Sequence, residues 1–393
     1  MALPLSYSVR SLLARRLRTG LTVAVIALVV VASTLFLGLL SSLQRTLRTT
    51  GDERNLIVMR KGSSNDGSSK LSLAALQDIR FFEGIARGAD GSPLISPELV
   101  VQPFFLRRDG GRENVLVRGV EPGPALAVHD EVEIVEGRIF TPSSGEVVVG
   151  RGVAGRYRGA RLGETLEFGR GRWQVVGVFE SGGTSFESEV WADVRELAND
   201  AKRPFPYSSL RLSAAPGADL DGLARRIGDD PRHALEAQPE PAYYAKQAES
   251  ANTLYVLVVG LALLAGVGAV FGATNTLYAA VQSRTAEIGT LRAIGFSRAS
   301  ILLAFLVESL ATALAGFAVG GACAWALGRL VSWALGGVGF GAATFTTSVI
   351  QLRVGIGDLG AALLLSLAVG LLGGFAPARH AARLRPVEAL RKA

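Results

Sequence analysis

Uncharged stretches long enough to cross a bilayer recur along this 393-residue chain. Residues 19–44, 250–283 and 359–378 contain no charged side chain, and Glu308 alone interrupts residues 299–328. A membrane-spanning helix needs about 20 predominantly apolar residues. The pattern therefore predicts four transmembrane helices, at residues 21–44, 250–281, 299–331 and 358–377.

The more polar residues between the first two spans, 45–249, predict a folded α+β domain. Apolar residues at helical spacing predict amphipathic helices at 71–88 and 219–230. Alternating apolar residues around short turns predict two hairpins, one within residues 100–120 and one within residues 165–179. The predicted fold class is thus an α-helical membrane protein with four spans and a large α+β extracytoplasmic domain.

Two further features of this insert concern its ends and its flexibility. Residues 41–50 continue the first span and residues 240–250 lead into the second, which predicts helical stalk ends. A rigid helix that crosses a membrane can transmit movement from one side to the other. The Gly- and Ser-rich residues 61–70 predict a mobile loop.

Positive charge is concentrated beside the spans. Residues 1–20, 281–299 and 377–393 carry net charges of +4, +2 and +4 within a total of +7. Short basic flanks mark the cytoplasmic side of a membrane, so both termini are expected inside and the large insert outside, in a bacterial inner membrane. The predicted segments outside the spans are a cytoplasmic N-terminal amphipathic segment (1–20), the extracytoplasmic domain (45–249), a cytoplasmic loop (282–298), a short external loop (332–357) and a cytoplasmic tail (378–393). Topology and anionic membrane lipid account for the basic excess, so no nucleic acid is expected as a partner.

No catalytic or cofactor-binding motif stands out in the sequence. None of the five lysines lies in the G-x-x-x-x-G-K-[ST] motif of a P-loop, so we expect no ATP hydrolysis on this chain. Gly150-x-Gly152-x-x-Gly155 matches a dinucleotide-binding pattern, but the crossover helix and second parallel strand of that motif do not follow. This stretch predicts a turn and a short helix instead.

The remaining polar residues also predict no metal or catalytic site. The three histidines, His129, His233 and His380, are far apart in the sequence, and acidic residues at 130–133 and 187–189 are interpreted as solvated strand faces. The chain is therefore expected to have no catalytic residue, no metal ligand and no cofactor of its own.

Glu308 is a carboxylate within an apolar span, where its insertion costs about 2.5–3.5 kcal/mol. Two interpretations remain open: a contact with the cytoplasmic loop or a neighbouring helix, or an interfacial carboxylate that reaches toward water. A proton relay is the weaker alternative.

Small residues one helical turn apart recur on three spans, and such spacing allows close helix approach. They predict a tightly packed, dimeric bundle. The pairs are Gly268 with Gly272, Gly316 with Gly320, and Gly370 with Gly374.

The loop after the second span predicts a short amphipathic helix with Ala286, Ile288, Leu291 and Ile294 on its apolar side. The loop resembles the signature of the FtsX/MacB/LolC-LolE permeases of ATP-binding-cassette (ABC) systems, which reads R-x-x-E-I-G-x-L-R-A-x-G and then I-x-x-x-F-x-x-E-S. The matching residues are Arg284, Glu287, Ile288, Gly289, Leu291, Arg292, Ala293, Gly295, Ile301, Phe305, Glu308 and Ser309. The C-terminal residues 377–393 are similar to the ending of the same family, and residues 136–179 resemble the core of a MacB-type periplasmic domain.

This resemblance implies a permease subunit that forms a homodimer, or a heterodimer with a similar chain, on two copies of a separate ABC ATPase that binds ATP and Mg²⁺. The loop helix would dock on that ATPase, and a periplasmic adaptor is an additional expected partner. MacB itself carries its ATPase on the same chain, whereas no P-loop is found in this sequence, and this departure favours a split permease subunit. The implied coupling residues are Arg284, Ala286, Glu287, Ile288, Gly289, Leu291, Arg292, Ala293 and Gly295.

The implied cargo is a hydrophobic compound, a lipoprotein or a peptide, exported or extracted at the outer side of the inner membrane. The alternative function is that of a non-transporting FtsX-like signalling or scaffold subunit that regulates a periplasmic partner. A membrane-embedded enzyme is a third class, and the lack of a catalytic motif counts against it.

Overall fold

The computed structural model describes residues 16–250, 252–335, 338–341, 347–350 and 352–385. Three predicted segments therefore lie partly outside the described residues: the N-terminal segment in residues 1–15, the external loop in residues 336–337, 342–346 and 351, and the tail in residues 386–393. The chain forms two compact units. The membrane unit comprises residues 1–41, 253–330 and 352–393, and the sheet unit comprises residues 42–252 and 331–351.

The elements of the described residues are numbered in chain order. The helices are α1 (Arg16–Arg48), α2 (Leu73–Ile79), α3 (Pro122–Val128), α4 (Arg151–Ala154), α5 (Val194–Asp200), α6 (Leu220–Gly228), α7 (Glu240–Ser250), α8 (Asn252–Gln282), α9 (Thr285–Ala293), α10 (Arg298–Leu335) and α11 (Ile356–Arg383). The strands are β1 (Asn55–Arg60), β2 (Ile95–Val101), β3 (Phe104–Leu106), β4 (Arg112–Asn114), β5 (Leu116–Val120), β6 (Glu133–Gly137), β7 (Glu146–Gly150), β8 (Thr165–Phe168), β9 (Gly171–Glu180), β10 (Glu189–Asp193), β11 (Ser209–Ser213), β12 (Leu235–Pro239), β13 (Val338–Gly341) and β14 (Thr347–Ile350).

Four helices are long and apolar enough to cross a membrane, by length and composition. These candidate spans are Thr19–Arg48, Val256–Gln282, Arg298–Trp333 and Ile356–Arg383. The prediction of four spans is confirmed, and helix α1 continues past its predicted span to Arg48, as expected of a stalk end.

Glycines bring three of these helices close together. A Cβ atom at Gly316 would lie 2.6 Å from Ile26 Cγ2, and one at Gly320 would lie 2.6 Å from the carbonyl oxygen of Ala27, so α10 and α1 meet at backbone distance. Without side chains at these positions the two helices can approach in this way.

The same device joins α11 to α10. A Cβ at Gly370 would lie 2.7 Å from Ala313 Cβ, and one at Gly374 would lie 2.6 Å from Ser309 Cβ. In contrast, nothing in the described residues lies within 4 Å of a Cβ at Gly268 or Gly272. The glycine pairs on α10 and α11 thus pack helices within one chain. The pair on α8 contacts no other helix among the described residues.

The sheet unit is built on a ten-stranded mixed sheet. Nine strands follow the order β12-β1-β11-β2-β5-β10-β7-β9-β6, and β8 pairs with β9. Strand β10 runs parallel to β5 and β7 runs parallel to β9, whereas the other pairs along this order are antiparallel.

Alternating side chains on the sheet bury both of its faces. On β1, Leu56 and Val58 join one core with helices α2, α5 and α6, whereas Ile57 and Met59 join a second core with residues of α1 and α7. This period of two is the pattern expected of a strand. The central strands are therefore covered on both sides.

Most predicted elements of the insert are confirmed. In the first hairpin β3 pairs with β4, and the strands on either side of them in the sequence, β2 and β5, also pair with each other. The second hairpin consists of β8 and β9. Within the segment predicted at 219–230, α6 runs from Leu220 to Gly228, and the side chain of its N-cap Asp219 accepts a hydrogen bond from Gly222 N–H. The glycine motif at 150–155 forms the end of β7 and the short helix α4, as predicted.

The helix predicted at 71–88 is wrong in its length. Helix α2 ends at Ile79, and Gly84 has a φ of +97°, which a right-handed helix cannot contain. The apolar periodicity through Phe82 thus reflects a turn that packs against the same core, not a further helical turn.

Candidate functional site

The loop between the second and third candidate spans contains helix α9. Arg284 is its N-cap, and the chain leaves the helix through Gly295, whose φ of +107° favours glycine. Gly295 N–H donates to Arg292 O, and Phe296 N–H donates to Leu291 O at 3.1 Å. These two bonds form the Schellman motif that ends a helix. The glycine of the predicted signature therefore fixes where α9 stops.

One side of α9 is buried in the membrane unit. Ile288 is 1% exposed and Gly289 is also buried. The apolar cluster around Ile288 has members from the loop and from the adjoining ends of α8, α10 and α11. These are Val281, Ile301, Phe305, Ala378, Ala381 and Ala382. Helix α9 is therefore packed against the neighbouring helices rather than held by the loop alone.

Arg284 connects α9 to the third candidate span. Its Nη1 lies 3.0 Å from Glu308 Oε2, and its Nε lies 3.0 Å from Glu287 Oε2. The guanidinium also lies over the Phe305 ring, 5.3 Å from the centroid. The side chain of Arg284 is 4% exposed, so Glu308 has its countercharge inside the helix cluster. Of the two interpretations of Glu308, the structure contains the contact with the loop.

Arg292 also bonds within the loop. Its Nη1 donates to Phe296 O at 3.0 Å, which ties the last turn of α9 to the chain that follows. Arg292 and Glu287 thus have separate partners, and neither pairs with the other.

The opposite side of α9 is exposed. Glu287, Thr290, Ala293 and Ile294, here called the exposed strip, lie at the surface, and Ile294 is 68% exposed. The prediction that Ile294 continues the apolar side of the helix is wrong, because Ile294 follows Glu287 by seven residues, about two helical turns, and so lies on the exposed side of α9. An apolar side chain is therefore left at the surface at the end of α9, about two helical turns beyond Glu287.

Sequence reasoning missed a second candidate site, a buried charge cluster in the sheet unit. Glu98 on β2 is fully buried, and its Oε2 accepts hydrogen bonds from Arg118 Nη1 at 2.7 Å and from Arg211 Nη1. Its Oε1 lies 2.7 Å from Nε2 of His129. One carboxylate thus contacts three basic side chains on other elements.

Further acidic groups complete this cluster. Glu189 forms two hydrogen bonds with Arg118, each 2.6 Å long, and Arg211 Nε donates to Glu240 Oε1 at 2.7 Å. Arg211 Nη2 also donates to the hydroxyl of Tyr244 at 3.0 Å. Buried charges are tolerated when they are paired and hydrogen-bonded in this way.

The cluster shifts the pKa values of its members. Burial disfavours the charged form of Glu98, but the attraction of Arg211, Arg118 and His129 outweighs burial and places the pKa of Glu98 well below its usual value. Burial likewise opposes the protonation of His129, yet the negative charge of Glu98 raises the pKa of His129 to about 9. Both groups are therefore charged at neutral pH.

Glu240 brings the two stalk ends together within the sheet unit. It is the first residue of α7, and its Oε2 accepts hydrogen bonds from Asn55 Nδ2 at 3.2 Å and from the backbone N–H of Asp52 at 3.3 Å. Gly51, just past the end of α1, has a φ of +95°, and a Cβ there would lie 2.8 Å from Glu240 Cγ. The end of α1 and the start of α7 therefore meet at one buried carboxylate.

Two predictions about polar segments are corrected by this cluster. Glu189 is not on a solvated strand face, because β10 is a central strand and the Glu189 side chain is 5% exposed against Arg118. The polar loop at 61–70 is fixed at Asp66, whose backbone N–H donates to the Tyr243 hydroxyl and whose carboxylate lies 3.5 Å from Arg211 Nη2. A signal was present in the sequence, because single charged residues interrupt apolar strands at Glu98, Arg118 and Arg211.

The geometry describes a class of protein: a bundle of four candidate spans with a helix-bearing loop, and a large mixed-sheet domain inserted after the first span. Two family models match the chain. The MacB-like periplasmic core domain matches residues 19–229, and the FtsX-like permease C-terminal domain matches residues 259–386. The chain belongs to the MacB-like, FtsX-like family of ABC transporter permeases. Components of this family are generally non-catalytic, and the chain is an inner-membrane protein.

Similar sequences carry related names. The chain is 26% identical over 422 residues to "Macrolide export ATP-binding/permease protein MacB" of Chlorobium luteolum, an alignment that covers 97% of this chain and 59% of that protein. It is 26% identical over 260 residues to an uncharacterized ABC transporter permease of Methanocaldococcus jannaschii, covering 62% of this chain and 61% of that protein. The chain thus spans less than two thirds of the length of these relatives. Among solved structures, the periplasmic region of MacB from Actinobacillus actinomycetemcomitans aligns with a TM-score of 0.36 at 12% identity, covering 48% of this chain and 90% of that one.

Proposed function

We propose that this chain is the permease subunit of a MacB/LolCDE-like ABC transporter. In this proposal a separate ATPase binds ATP and Mg²⁺, docks on α9, and drives motion of the sheet unit on the outer side of the inner membrane. The cargo class is hydrophobic: a lipoprotein, a peptide or a small apolar compound that is exported or extracted. Support comes from membership of a permease family together with the geometry of α9.

The observation that carries the proposal is that α9 has one exposed face and one face fixed to the spans. The exposed strip offers an apolar side chain, Ile294, about two helical turns beyond the acidic Glu287, and this combination suits a protein groove. On the other side, Ile288 and the Arg284–Glu308 ion pair fix the helix to the neighbouring helix ends. Movement of a partner bound to the strip is therefore passed to α10 rather than absorbed by a loose loop.

We propose that movement reaches the sheet unit through α1, a helix that belongs to both units. Helix α1 is continuous from Arg16 to Arg48, so it begins in the membrane unit and ends in the sheet unit. Its last turns are anchored there, since Leu43 and Leu47 are buried in the second core. A helix without a break transmits displacement along its axis, which is the mechanical role we assign to it.

The proposed assembly contains two permease chains, identical or similar, and two ATPase copies, with both termini cytoplasmic and with a periplasmic adaptor as a further partner. Helix α8 supports a second permease chain, because only 17% of its most apolar window is buried in one chain, against 39% for α1. The surface left open on α8 includes Gly268 and Gly272.

The test uses the full chain co-expressed with an ABC ATPase encoded in a neighbouring reading frame. Co-purification and permease-dependent stimulation of ATP hydrolysis are expected, and Ile294→Asp and Glu287→Arg are each expected to reduce both by at least tenfold. Ala299→Asp is the control, because it places the same new charge at an exposed position five residues away, in the first turn of α10, where an acidic side chain is tolerated.

Two results would count against the proposal. If no ATPase co-purifies while the chain inserts normally, the signalling or scaffold alternative is favoured. If Ala299→Asp reduces stimulation as much as Ile294→Asp does, the exposed strip is not the docking surface.

A further inference from the structure

A groove in the membrane unit is lined by basic and aromatic side chains that the proposed function does not use. It has a volume of about 290 Å³ and lies between the end of α8 and the end of α11. Its lining, here called the basic groove, consists of Tyr278, Phe375, Ala376, Arg379, His380 and Arg383. It lies beside the buried cluster of Ile288, since Ala378, Ala381 and Ala382 of the same helical turns belong to that cluster.

The described lining of the basic groove contains arginine side chains but no acidic side chain that would neutralise them. Arg379, His380 and Arg383 are all exposed, and none of the described residues that line the groove is acidic. No ion pair joins any of the three to an acidic side chain among the described residues of the chain. The end of α8 facing the groove is also free of acidic residues, because it reads LYAAVQ from Leu277 to Gln282. The groove therefore suits an anion.

The aromatic groups fix the shape of one wall. The ring of Tyr278 packs against His380 in an edge-to-face arrangement with centroids 5.8 Å apart. Tyrosine is favoured where a membrane meets water, because its ring is apolar and its hydroxyl is polar. The position of Tyr278 near the end of a candidate span agrees with that boundary.

An apolar stripe continues from the groove along the same face of α11. Leu364, Leu371 and Phe375 are spaced seven and four residues apart, and they are 69%, 48% and 51% exposed. Arg379 and Arg383 continue this spacing by four residues each. One helical face thus offers hydrocarbon contact followed by positive charge, which is the order of acyl chain and phosphate in a phospholipid.

We propose that the basic groove binds the headgroup of an anionic phospholipid, with its phosphate at Arg379 and Arg383 and its acyl chains along Leu364, Leu371 and Phe375. Basic pockets between spans are a known form of lipid headgroup site. The adjacent Ile288 cluster places the bound lipid next to α9. Binding requires no ATPase, so this inference can be tested separately from the transporter assignment.

The test measures lipid binding to the purified full chain in detergent micelles by native mass spectrometry. Phosphatidylglycerol is titrated against phosphatidylcholine with the same acyl chains, and inorganic phosphate is added in a third arm. Each basic residue near a membrane surface contributes about 1 kcal/mol, so Arg379→Gln/Arg383→Gln is expected to weaken phosphatidylglycerol binding about 30-fold at 1.4 kcal/mol per tenfold. The matched control is Arg298→Gln/Arg329→Gln, which removes two charges from exposed positions of α10 outside the groove.

The expected result is a preference for phosphatidylglycerol that the groove variant loses, that the control variant keeps, and that Arg379→Lys/Arg383→Lys retains in large part. Equal binding of the two lipids by the unmodified chain would overturn the proposal. So would an equal loss in the control variant, which would indicate overall surface charge. Displacement of the lipid by inorganic phosphate at equal concentration would also overturn it, because the groove would then be a site for free phosphate.

Discussion

Replacing Glu98 with glutamine should destabilise the sheet unit, because this carboxylate is the contact shared by three buried basic groups. Its two oxygens bond to Arg118, Arg211 and His129, and all four side chains are at most 1% exposed. Glutamine keeps the shape but has only one oxygen, and its NH₂ group is a donor. At one of the two oxygen positions of Glu98, the NH₂ group would therefore face the N–H donors of the arginines or of the protonated His129 in a space that excludes water.

The expected magnitude follows from the burial of the group. Removing one partner of a buried, hydrogen-bonded charge pair costs about 3–5 kcal/mol. A domain of 150–250 residues loses about 2–4 °C in Tm for each kcal/mol. The sheet unit is of that size, so Glu98→Gln should lower its Tm by roughly 10 °C.

The assay is thermal unfolding of the full chain in micelles, followed by proteolysis of the heated protein and by tryptophan emission. Trp191 is a suitable reporter, because its ring lies 5.4 Å from the His129 ring. Glu136→Gln serves as the control, since Glu136 is exposed on the edge strand β6. A Tm for Glu98→Gln within 2 °C of the control would refute the view that the cluster stabilises this unit.

Three further predictions concern other contacts. The pKa of His129 is raised to about 9 in the folded chain, so its stabilising effect is complete below about pH 6.5 and is lost as the pH rises through 9; the Tm advantage of the unmodified chain over His129→Gln should shrink across that range. Arg284→Glu should abolish ATPase stimulation, and the added change Glu308→Arg should restore part of it, since the two side chains form a buried pair. Gly320→Leu should lower bundle stability by about 1–3 kcal/mol through overpacking, whereas Gly360→Leu on α11 should not, because its Cβ position is open.

Each of these predictions has its own contrary outcome. A Tm difference for His129→Gln that is constant from pH 6 to 10 would show that the histidine does not titrate with the cluster. No recovery in the Arg284→Glu/Glu308→Arg double variant would mean that the pair has no role beyond packing. Equal stability of the Gly320→Leu and Gly360→Leu chains, measured by urea-dependent proteolysis in micelles, would contradict the assigned helix contacts.

The sequence was sufficient for features that depend on local pattern. Uncharged length predicted the four spans, and alternation around short turns predicted both hairpins. The signature from Arg284 to Gly295 predicted the short helix, and its last glycine has the positive φ that ends it. These features are decided by neighbours in the sequence, so a single chain reveals them.

Features that depend on distant contacts were missed or misjudged. The local sequence predicts a solvated Glu189, yet strand order places it on a central strand against Arg118. Ile294 is apolar, yet it lies on the side of α9 that the neighbouring helices leave exposed. Glu98 gave a signal only as a charge within an apolar strand, and its partners, on β5, β11 and the end of α3, are not predictable from the sequence. Pairing across a sheet is a property of topology, which periodicity does not encode.

The pairing of Glu308 with Arg284 has a consequence for biogenesis. Arg284 precedes Glu308 by 24 residues, so it leaves the ribosome first and is already present when the acidic helix reaches the translocon. A lone carboxylate would resist partitioning into lipid, but a carboxylate that meets its guanidinium partner enters as a neutral pair. Helices α8 and α10 are therefore expected to move from the translocon into the bilayer as one hairpin, with α9 as its tip.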